Sequence, residues 1–456
     1  MKAVDEIRSV GSFHFFNLGC SKNLVDAERV AGSLEERGWQ YKEDPALASL
    51  LVITTCAFIS IAEEESVGEI IRVASGKEGW QKLVVLGCMV TREGDELGDL
   101  FPEVDLFLPV DEMMRLPEVA DSLVGPVGQE QGRPVKVSGE CLSHPGGRRL
   151  FTIPHLAYLK IAEGCSNHCS YCTIPDIRGE LRSEDHDEML EEAIALARAG
   201  VKELVLIAQD TSAYGQDSGN VDDLYRLAGE IGRVEGIEWI RLMYLHPAHL
   251  DTGRIEALIS AETIIPYLDI PVQHVSDRIL KDMGRGYQRK DLEDLFGKLR
   301  NMDRRVVLRT TVMAGFPGET EDEFNELLDF IEEQKFDHLG VFTFSPERGT
   351  TASSMKGQID SDRALARMDE IASVQMDISH DRLISLMGTL QNVIVDGYIE
   401  DNESPLPGVW GTGRYYGQAH DVDGVTFLSG RKANRGEIVK VRINEVEAYD
   451  LFGKVE

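Results

Sequence analysis

Three cysteines within eight residues constrain this chain more than any other feature. The stretch EGCSNHCSYCTIPDIR, 163–178, places Cys165, Cys169 and Cys172 in a C-x3-C-x2-C spacing. On so short a loop three thiolates can turn onto one iron–sulfur cube. A [4Fe–4S] cluster held by three cysteines keeps one iron without a protein ligand. Such an iron can hold a small molecule and pass it an electron. The competing reading is a zinc knuckle with His168 as fourth ligand. Zinc sites usually pair two such halves, and no second half follows here.

A chain of 456 residues is long enough for two or three domains. With 42% hydrophobic and 28% charged residues it has the composition of a globular protein. No apolar run reaches the roughly 18 residues that span a bilayer. The opening MKAVDEIRSVGS lacks the layout of a signal peptide, so a cytoplasmic protein without a membrane partner is expected. Seven cysteines, three of them clustered, point to metal and not to a disulfide framework. The net charge of −32 opposes long-range attraction to phosphates, which makes nucleic acid an unfavoured substrate, and suits a basic partner. Solubility alone is the plainer reason for such acidity.

From residue 12 to 125 the pattern alternates strand and helix: strands at 13–18, 49–55, 82–87 and 105–110, helices at 23–37 and 61–75. That alternation predicts a parallel sheet covered by helices. Cys20, Cys56 and Cys88 each follow one of the first three strands. Ligands of open α/β sheets collect at the carboxyl ends of strands, and neighbouring strands lie about 4.8 Å apart. Three thiols at three strand ends can therefore hold a second three-cysteine cluster. Each alone could equally be a buried core cysteine. The Gly- and Pro-rich segment 126–150 is expected to be a linker, and its Cys141 is not taken as a ligand.

The rhythm returns six times between 151 and 345, with strands near 156–161, 202–208, 238–244, 264–270, 305–314 and 338–345. Six parallel strands with outer helices predict a partial (β/α)6 barrel related to the TIM plan, with its chemistry at the C-terminal rim. That rim would carry Cys165–Cys172, Gln209, Asp210, His246, Gln273, His274, Gly315–Glu319 and Ser345. In AGFPGETEDEF, 314–324, Gly315 and Gly318 permit close backbone approach, and Glu319 or Asp322 could cap the following helix. A charged helix over 357–387 leads out of the barrel. Residues 388–456 then change to short strands with glycine turns, as in a small β-barrel of OB-like size. Over 391–456 there are 7 Lys and Arg against 11 Asp and Glu, the wrong sign for a nucleic-acid-binding barrel. Asp421 and Asp423, on an expected loop there, are the acids singled out for docking a basic protein.

The Cys165–Cys172 loop, with Tyr171 before its last cysteine, resembles that of the radical S-adenosylmethionine enzymes. The whole chain resembles the methylthiotransferases, on the strength of GCSKNLVDAE (19–28), TTCAFI (54–59), LGCMV (86–90), EGCSNHCSYCTIP (163–175) and GFPGET (315–320). GCSKNLVDAE and DIPVQHVSDRILKDMGR (269–285) are closest to the branch that modifies an aspartate of the twelfth small-subunit ribosomal protein. Ser21 departs from that branch's usual proline. The resemblance implies domains at 12–125, 151–387 and 388–456, the last a TRAM barrel. It implies two [4Fe–4S] clusters, one on Cys165, Cys169 and Cys172 and an auxiliary one on Cys20, Cys56 and Cys88. S-adenosylmethionine would be cleaved at the first cluster to a 5′-deoxyadenosyl radical that takes a hydrogen from the aspartate β-carbon. Sulfur would arrive through the auxiliary cluster, and a second S-adenosylmethionine would supply the methyl group. Gln209, Asp210, Gln273, Gly315 and Glu319 are the implied cofactor contacts. A basic ribosomal protein and a reductant protein are the implied partners. A tRNA methylthiotransferase is the first alternative, and a non-catalytic iron–sulfur protein the second.

Overall fold

The computed structural model describes residues 10–94, 96–124, 147–400 and 404–456. Cys141 and most of the expected linker lie outside the described residues. The chain forms two compact units. The first takes the N-terminal part through Thr152 together with Tyr158–Asn167 and Cys172–Arg182. The second takes Ile153–Ala157, His168–Tyr171 and Ser183–Glu456.

The first unit is built on a parallel sheet of β1 (Ser12–Asn17), β2 (Gln40–Tyr41), β3 (Leu50–Thr55), β4 (Lys82–Gly87) and β5 (Leu106–Leu108), in the order β2-β1-β3-β4-β5. All six residues of β3 are buried, as a central parallel strand requires. Its side chains alternate between faces. Leu50 and Val52 join Phe13, Phe15 and the Val30, Ala31 and Leu34 of helix α1 (Ser21–Glu36). Leu51 and Ile53 join Leu83, Val85 and the Ile70 and Val73 of helix α2 (Ser60–Gly76). The two-residue β2 is an edge addition too short for a period-2 signal.

A six-stranded sheet runs in the order β13-β12-β11-β10-β9-β6, with β9 to β13 in the second unit. Its strands are β6 (Leu156–Lys160), β9 (Glu203–Ile207), β10 (Trp239–Leu242), β11 (Ile264–Asp269), β12 (Val307–Ala314) and β13 (His338–Thr343). Two short strands, β7 (Ala162–Glu163) and β8 (Arg182–Ser183), come between β6 and β9 in the sequence. The pairs from β9 to β13 are all parallel. After the long helix Ser361–Ile384 come β14 (Leu390–Tyr398), β15 (Val409–Tyr415), β16 (Thr426–Gly430), β17 (Ile438–Val446) and β18 (Leu451–Val455), closed into a barrel. Val393, Val395, Trp410, Leu428, Val441 and Ile443 fill it.

Buried ions join this small barrel to the six-stranded sheet. Arg414 donates to Glu203 at 2.6 Å and to Asp396 at 2.7 and 3.0 Å. Arg241 donates to Glu203 at 2.8 Å and to the carbonyls of Tyr416 and Gln418 at 3.0 Å each. Asp423 belongs to the same junction. It accepts from Tyr267 Oη and from Ala419 N, both at 2.8 Å, and its side chain is only 3% exposed. The expectation that Asp423 docks a partner is therefore corrected: its carboxylate is consumed inside the chain. Asp421, at φ 58°, stays exposed beside His420.

Breaking a buried pair costs far more than breaking an exposed one, because a desolvated charge is left behind. Arg414→Met should cost about 3 kcal/mol, with Arg241 and His155 limiting the damage. Arg442→Met, which removes an exposed pair with Glu456, should cost under about 1 kcal/mol. Urea unfolding of the two variants measures the difference. Equal losses would mean that the junction contributes nothing special.

Candidate functional site

In the first unit, β1, β3 and β4 are neighbours in the sheet, so the residues that follow them emerge side by side. Cys20 is the N-cap of α1, Cys56 follows β3 directly, and Cys88 opens helix α3 (Cys88–Glu93). Gly19, at φ 91°, lets the chain pass so close to Cys56 that a Cβ there would lie 2.9 Å from the Cys56 Cβ. Cys20 is exposed, Cys56 half-buried and Cys88 buried, and none is in a disulfide. Burial pushes the Cys88 thiol up to about 12, against the pull of Arg178. Holding it as a thiolate therefore requires a strong cation, which a metal ligated there would provide.

Arg178 and Asn23 organise this edge. Asn23 Nδ2 donates to Thr55 O at 2.9 Å, and its Oδ1 accepts from Arg178 Nη2 at 2.5 Å. The same Nη2 lies 3.5 Å from Cys88 Sγ. Arg178 Nη1 donates to Asp26 at 3.1 Å and to Glu163 at 2.9 and 3.0 Å. Lys160 Nζ joins Glu163 at 2.6 Å and also reaches Asp26. Burial would raise the Glu163 carboxyl, but Lys160 and Arg178 win and hold it at about 2.

The cysteine loop divides between the units: Cys165 and Cys172 lie with the first, and Cys169 with the second. Within the first, Cys165 N donates to Gly179 O at 3.0 Å, and Ile174 N donates to Cys172 Sγ at 3.4 Å. Within the second, Ser170 N donates to Met283 O at 2.9 Å, and its carbonyl accepts from Ala352 N at 2.8 Å. Tyr171 packs beside Ile279, Met283, Met313 and Phe316. His168 is exposed.

The segments that follow the second unit's strands carry the expected rim residues. Asp210 is buried, and its Oδ2 pairs with His249 Nδ1 at 2.8 Å while Ser212 Oγ donates to Oδ1 at 2.6 Å. Burial works against its ionisation, yet the His249 hydrogen bond and the two imidazoles keep it below the ordinary range. His246 stacks on His249 at 4.8 Å, and burial together with Arg285 presses it down to about 3. Gln209 sits half-buried beside them. Tyr244 and Gln273, just past β10 and β11, adopt φ of 62° and 66°. Gln273 is pinned there by its N–H to Thr311 O and its carbonyl from Met313 N, at 2.9 and 2.7 Å. Its Oε1 is buried with no hydrogen-bond partner among the described residues.

Glu319 has a different place. Its Oε2 accepts from Gly315 N inside its own turn, and Arg367 lies 3.3 Å away. Thr320 is the helix N-cap, in a capping box with Glu323, so neither Glu319 nor Asp322 caps that helix. Gly315, at φ 79°, admits the helix Ser361–Ile384, since a Cβ would meet Ala364 at 2.6 Å.

Arg178 and Arg285, each with a guanidinium nitrogen 3.5 Å from a cysteine sulfur, are absent from the residues singled out by sequence. Arg178 lies six residues past Cys172 and was legible only as part of the loop. Arg285 is 116 residues from Cys169; it closes the 269–285 stretch that the resemblance rests on, but nothing there ties it to a cysteine.

The Radical SAM superfamily profile matches residues 159–331, that of the uncharacterized protein family UPF0004 residues 12–109, and that of the TRAM domain residues 387–455. A protein of Anaeromyxobacter sp. (strain K), named ribosomal protein uS12 methylthiotransferase RimO, is 41% identical over 97% of this chain and 92% of its own length. Proteins of the same name from Desulfotalea psychrophila and Geobacter sulfurreducens are 39% and 38% identical over 97% and 96% of this chain, and over 99% and 97% of their own. Among solved structures, the radical S-adenosylmethionine methyltransferase TsrM of Kitasatospora setae, with cobalamin and a [4Fe–4S] cluster bound, matches with a TM-score of 0.54. It is 13% identical and covers 84% of this chain and 77% of its own. That likeness concerns the fold alone.

The Glu163 value has a consequence for stability. A carboxyl held at about 2 in the folded chain, against an ordinary 4.5, contributes fully above pH 4.5 and loses its contribution as pH falls toward 2. Urea midpoints of cluster-free protein across that window should fall more steeply for the native chain than for Glu163→Gln. Parallel slopes would remove Glu163 from the acid response.

Proposed function

The chain belongs to the RimO family of radical S-adenosylmethionine methylthiotransferases, and from that premise we propose that it replaces a hydrogen on the β-carbon of an aspartate in ribosomal protein uS12 with a methylthio group. The observation that carries the reading is the near full-length identity to proteins of that name, together with three thiols at the ends of adjacent parallel strands. When bound, S-adenosylmethionine and the iron–sulfur clusters supply one-electron reduction, hydrogen-atom abstraction and the sulfur and methyl of the transferred group.

This chain's residues divide the remaining work. Cys165, Cys169 and Cys172 would hold one [4Fe–4S] cluster, and Cys20, Cys56 and Cys88 the other. The donor set fits, since both are triads of cysteines outside any disulfide and iron–sulfur clusters take thiolate ligands. Gln273 is the strongest candidate contact for S-adenosylmethionine, because its buried Oε1 awaits a donor. Asp210, ionised and oriented by His249 and Ser212, offers acceptors, and Gln209 stands next to it. Gly315 and Glu319 would act by shaping the turn that approaches the cofactor. Asp26 and Glu163 would keep Arg178 beside Cys88 without leaving it a bare charge. A low-potential one-electron donor protein completes the partners. The site of action would be the cytoplasm; no helix among the described residues is long and apolar enough to cross a membrane.

Intact mass of uS12, with and without the reduced enzyme, tests the reaction. One methylthio group in place of one hydrogen is expected. A modified tRNA anticodon stem-loop with unmodified uS12 would transfer the chain to the tRNA branch. Alanine at Cys165, Cys169 and Cys172 should remove one cluster and all deoxyadenosine formation. Alanine at Cys20, Cys56 and Cys88 should remove the other cluster and the product, yet leave deoxyadenosine formation. Separately, Gln273→Leu should weaken S-adenosylmethionine binding about tenfold, the worth of one buried hydrogen bond. Unchanged affinity by equilibrium dialysis would take Gln273 out of the site.

A further inference from the structure

The guanidinium of Arg285 has a sulfur where those of Arg148, Arg241, Arg309 and Arg414 have a carboxylate. Nε donates to Tyr287 Oη at 2.7 Å, Nη2 to Pro271 O at 3.0 Å, and Nη1 to Cys169 Sγ at 3.5 Å. Tyr287 is itself buried and fixed by its own bond to Val272 O at 2.9 Å. No Asp or Glu among the described residues pairs with this half-buried cation, whose polar contacts are Tyr287, the Pro271 carbonyl and Cys169. Arg148, Arg241, Arg309 and Arg414 all have acidic partners. An arginine is always charged, and a charge drawn out of water is paired or costly. Cysteine ligates an iron–sulfur cluster as thiolate, so a cluster on Cys169 would supply the anion this cation faces.

We propose that Arg285 is a charge-setting and positioning residue for the iron–sulfur group held by Cys165, Cys169 and Cys172, its guanidinium serving as counter-ion and N–H···S donor at Cys169. The inference rests on the reading that those cysteines hold a cluster. One-electron reduction by the low-potential donor adds a negative charge to the cluster and breaks no bond in it. A fixed cation 3.5 Å from one sulfur favours the more negative state, and hydrogen bonds to the sulfurs raise the reduction potential. Arg285 thus makes the first electron easier to accept. Its pairing with Tyr287 and Pro271 holds the charge in place before the electron arrives, so little reorganisation is needed.

Arg178 at Cys88 is the internal contrast. It makes the same 3.5 Å approach to sulfur, but Asp26 and Glu163 already balance it. The auxiliary group therefore has a hydrogen-bond donor with a compensated charge, while the Cys169 side has an uncompensated one. The two clusters should not share a potential.

The test is a redox titration of the anaerobically reconstituted full chain, followed by electron paramagnetic resonance, with each signal assigned through the two triple-cysteine variants. Arg285→Met should lower the reduced-to-oxidised ratio of the Cys165/Cys169/Cys172 cluster about tenfold at a given potential, which is a shift of about 59 mV for one electron. Arg285→Lys, which keeps the charge, should move it much less, and the Cys20/Cys56/Cys88 signal should stay put in both. A methionine variant that sheds this cluster while the lysine variant retains it also supports the counter-ion role. An unshifted potential in a fully loaded methionine variant overturns the proposal, as does loss of the cluster from both variants, which would make Arg285 a purely structural residue. Wild-type protein that holds no cluster on these cysteines overturns the reading beneath it instead.

Discussion

A parallel strand ends with its last peptide groups unpaired and its chain obliged to turn, and parallel strands all end on one edge. Both units depend on that constraint. In the first, the order β2-β1-β3-β4-β5 brings three strand ends into succession, and the chain spends each on a cysteine. The glycines at these ends are steric necessities. At Gly87, with φ 103°, a Cβ would crowd Thr55 O at 3.0 Å. In the second unit the same edge carries Asp210, His246, Gln273 and the Gly315 turn. The ionisable groups within the strands, such as Glu203 and Arg241, are already paired, so the open chemistry falls to the residues past the strand ends.

Charge is handled differently in the interior and at the reactive edge. Glu203 lies between Arg241 and Arg414 with no exposed surface, and Asp337 is shared by Arg300 and Arg382. These are closed sets in which each desolvated ion meets its opposite. They fix the small barrel and the long helix to the sheet, and exchange with solvent would gain them little. At the edge the balance is left open. Cys88 is pressed toward the neutral thiol by burial, and Arg285 has no carboxylate partner among the described residues. An incomplete balance beside cysteine sulfur is what a site requires if its missing charge is to come from a cofactor.

Much of this was legible in the sequence, for reasons that can be named. Strand and helix positions followed the hydrophobic period closely, because buried parallel strands such as LLVITT leave an unbroken apolar run and the helices between them alternate faces. The cysteines were legible because thiols at regular places are rare. What escaped depends on tertiary partners. Asp423 looks like a turn acid, and only the folded chain brings Tyr267 to it across 156 residues. The helix after GFPGE is capped by Thr320, whose small hydroxyl reaches the backbone where Glu319 is already committed to Gly315. Arg285 lay inside the 269–285 marker stretch, but its role was not legible, since its sulfur partner is 116 residues away in sequence.

Backbone conformation adds an independent sign of where the chemistry sits. Among the described residues, four non-glycine positions have positive φ: Tyr244, Gln273, Lys335 and Asp421. Lys335 ends a helix and Asp421 occupies an exposed turn, where such geometry is ordinary. Tyr244 and Gln273 are neither. They follow neighbouring strands β10 and β11, and both are held by hydrogen bonds from the next strand: Tyr244 N to Asp269, and Gln273 N to Thr311. A large side chain in the left-handed region costs of order 1–3 kcal/mol, and glycine would remove that cost. The fold keeps a tyrosine and a glutamine there, on adjacent strands, with the glutamine oxygen buried and unspent. At Gln273 that cost is borne by a residue whose buried oxygen the described residues leave without a hydrogen-bond partner, which is what a ligand-binding position requires.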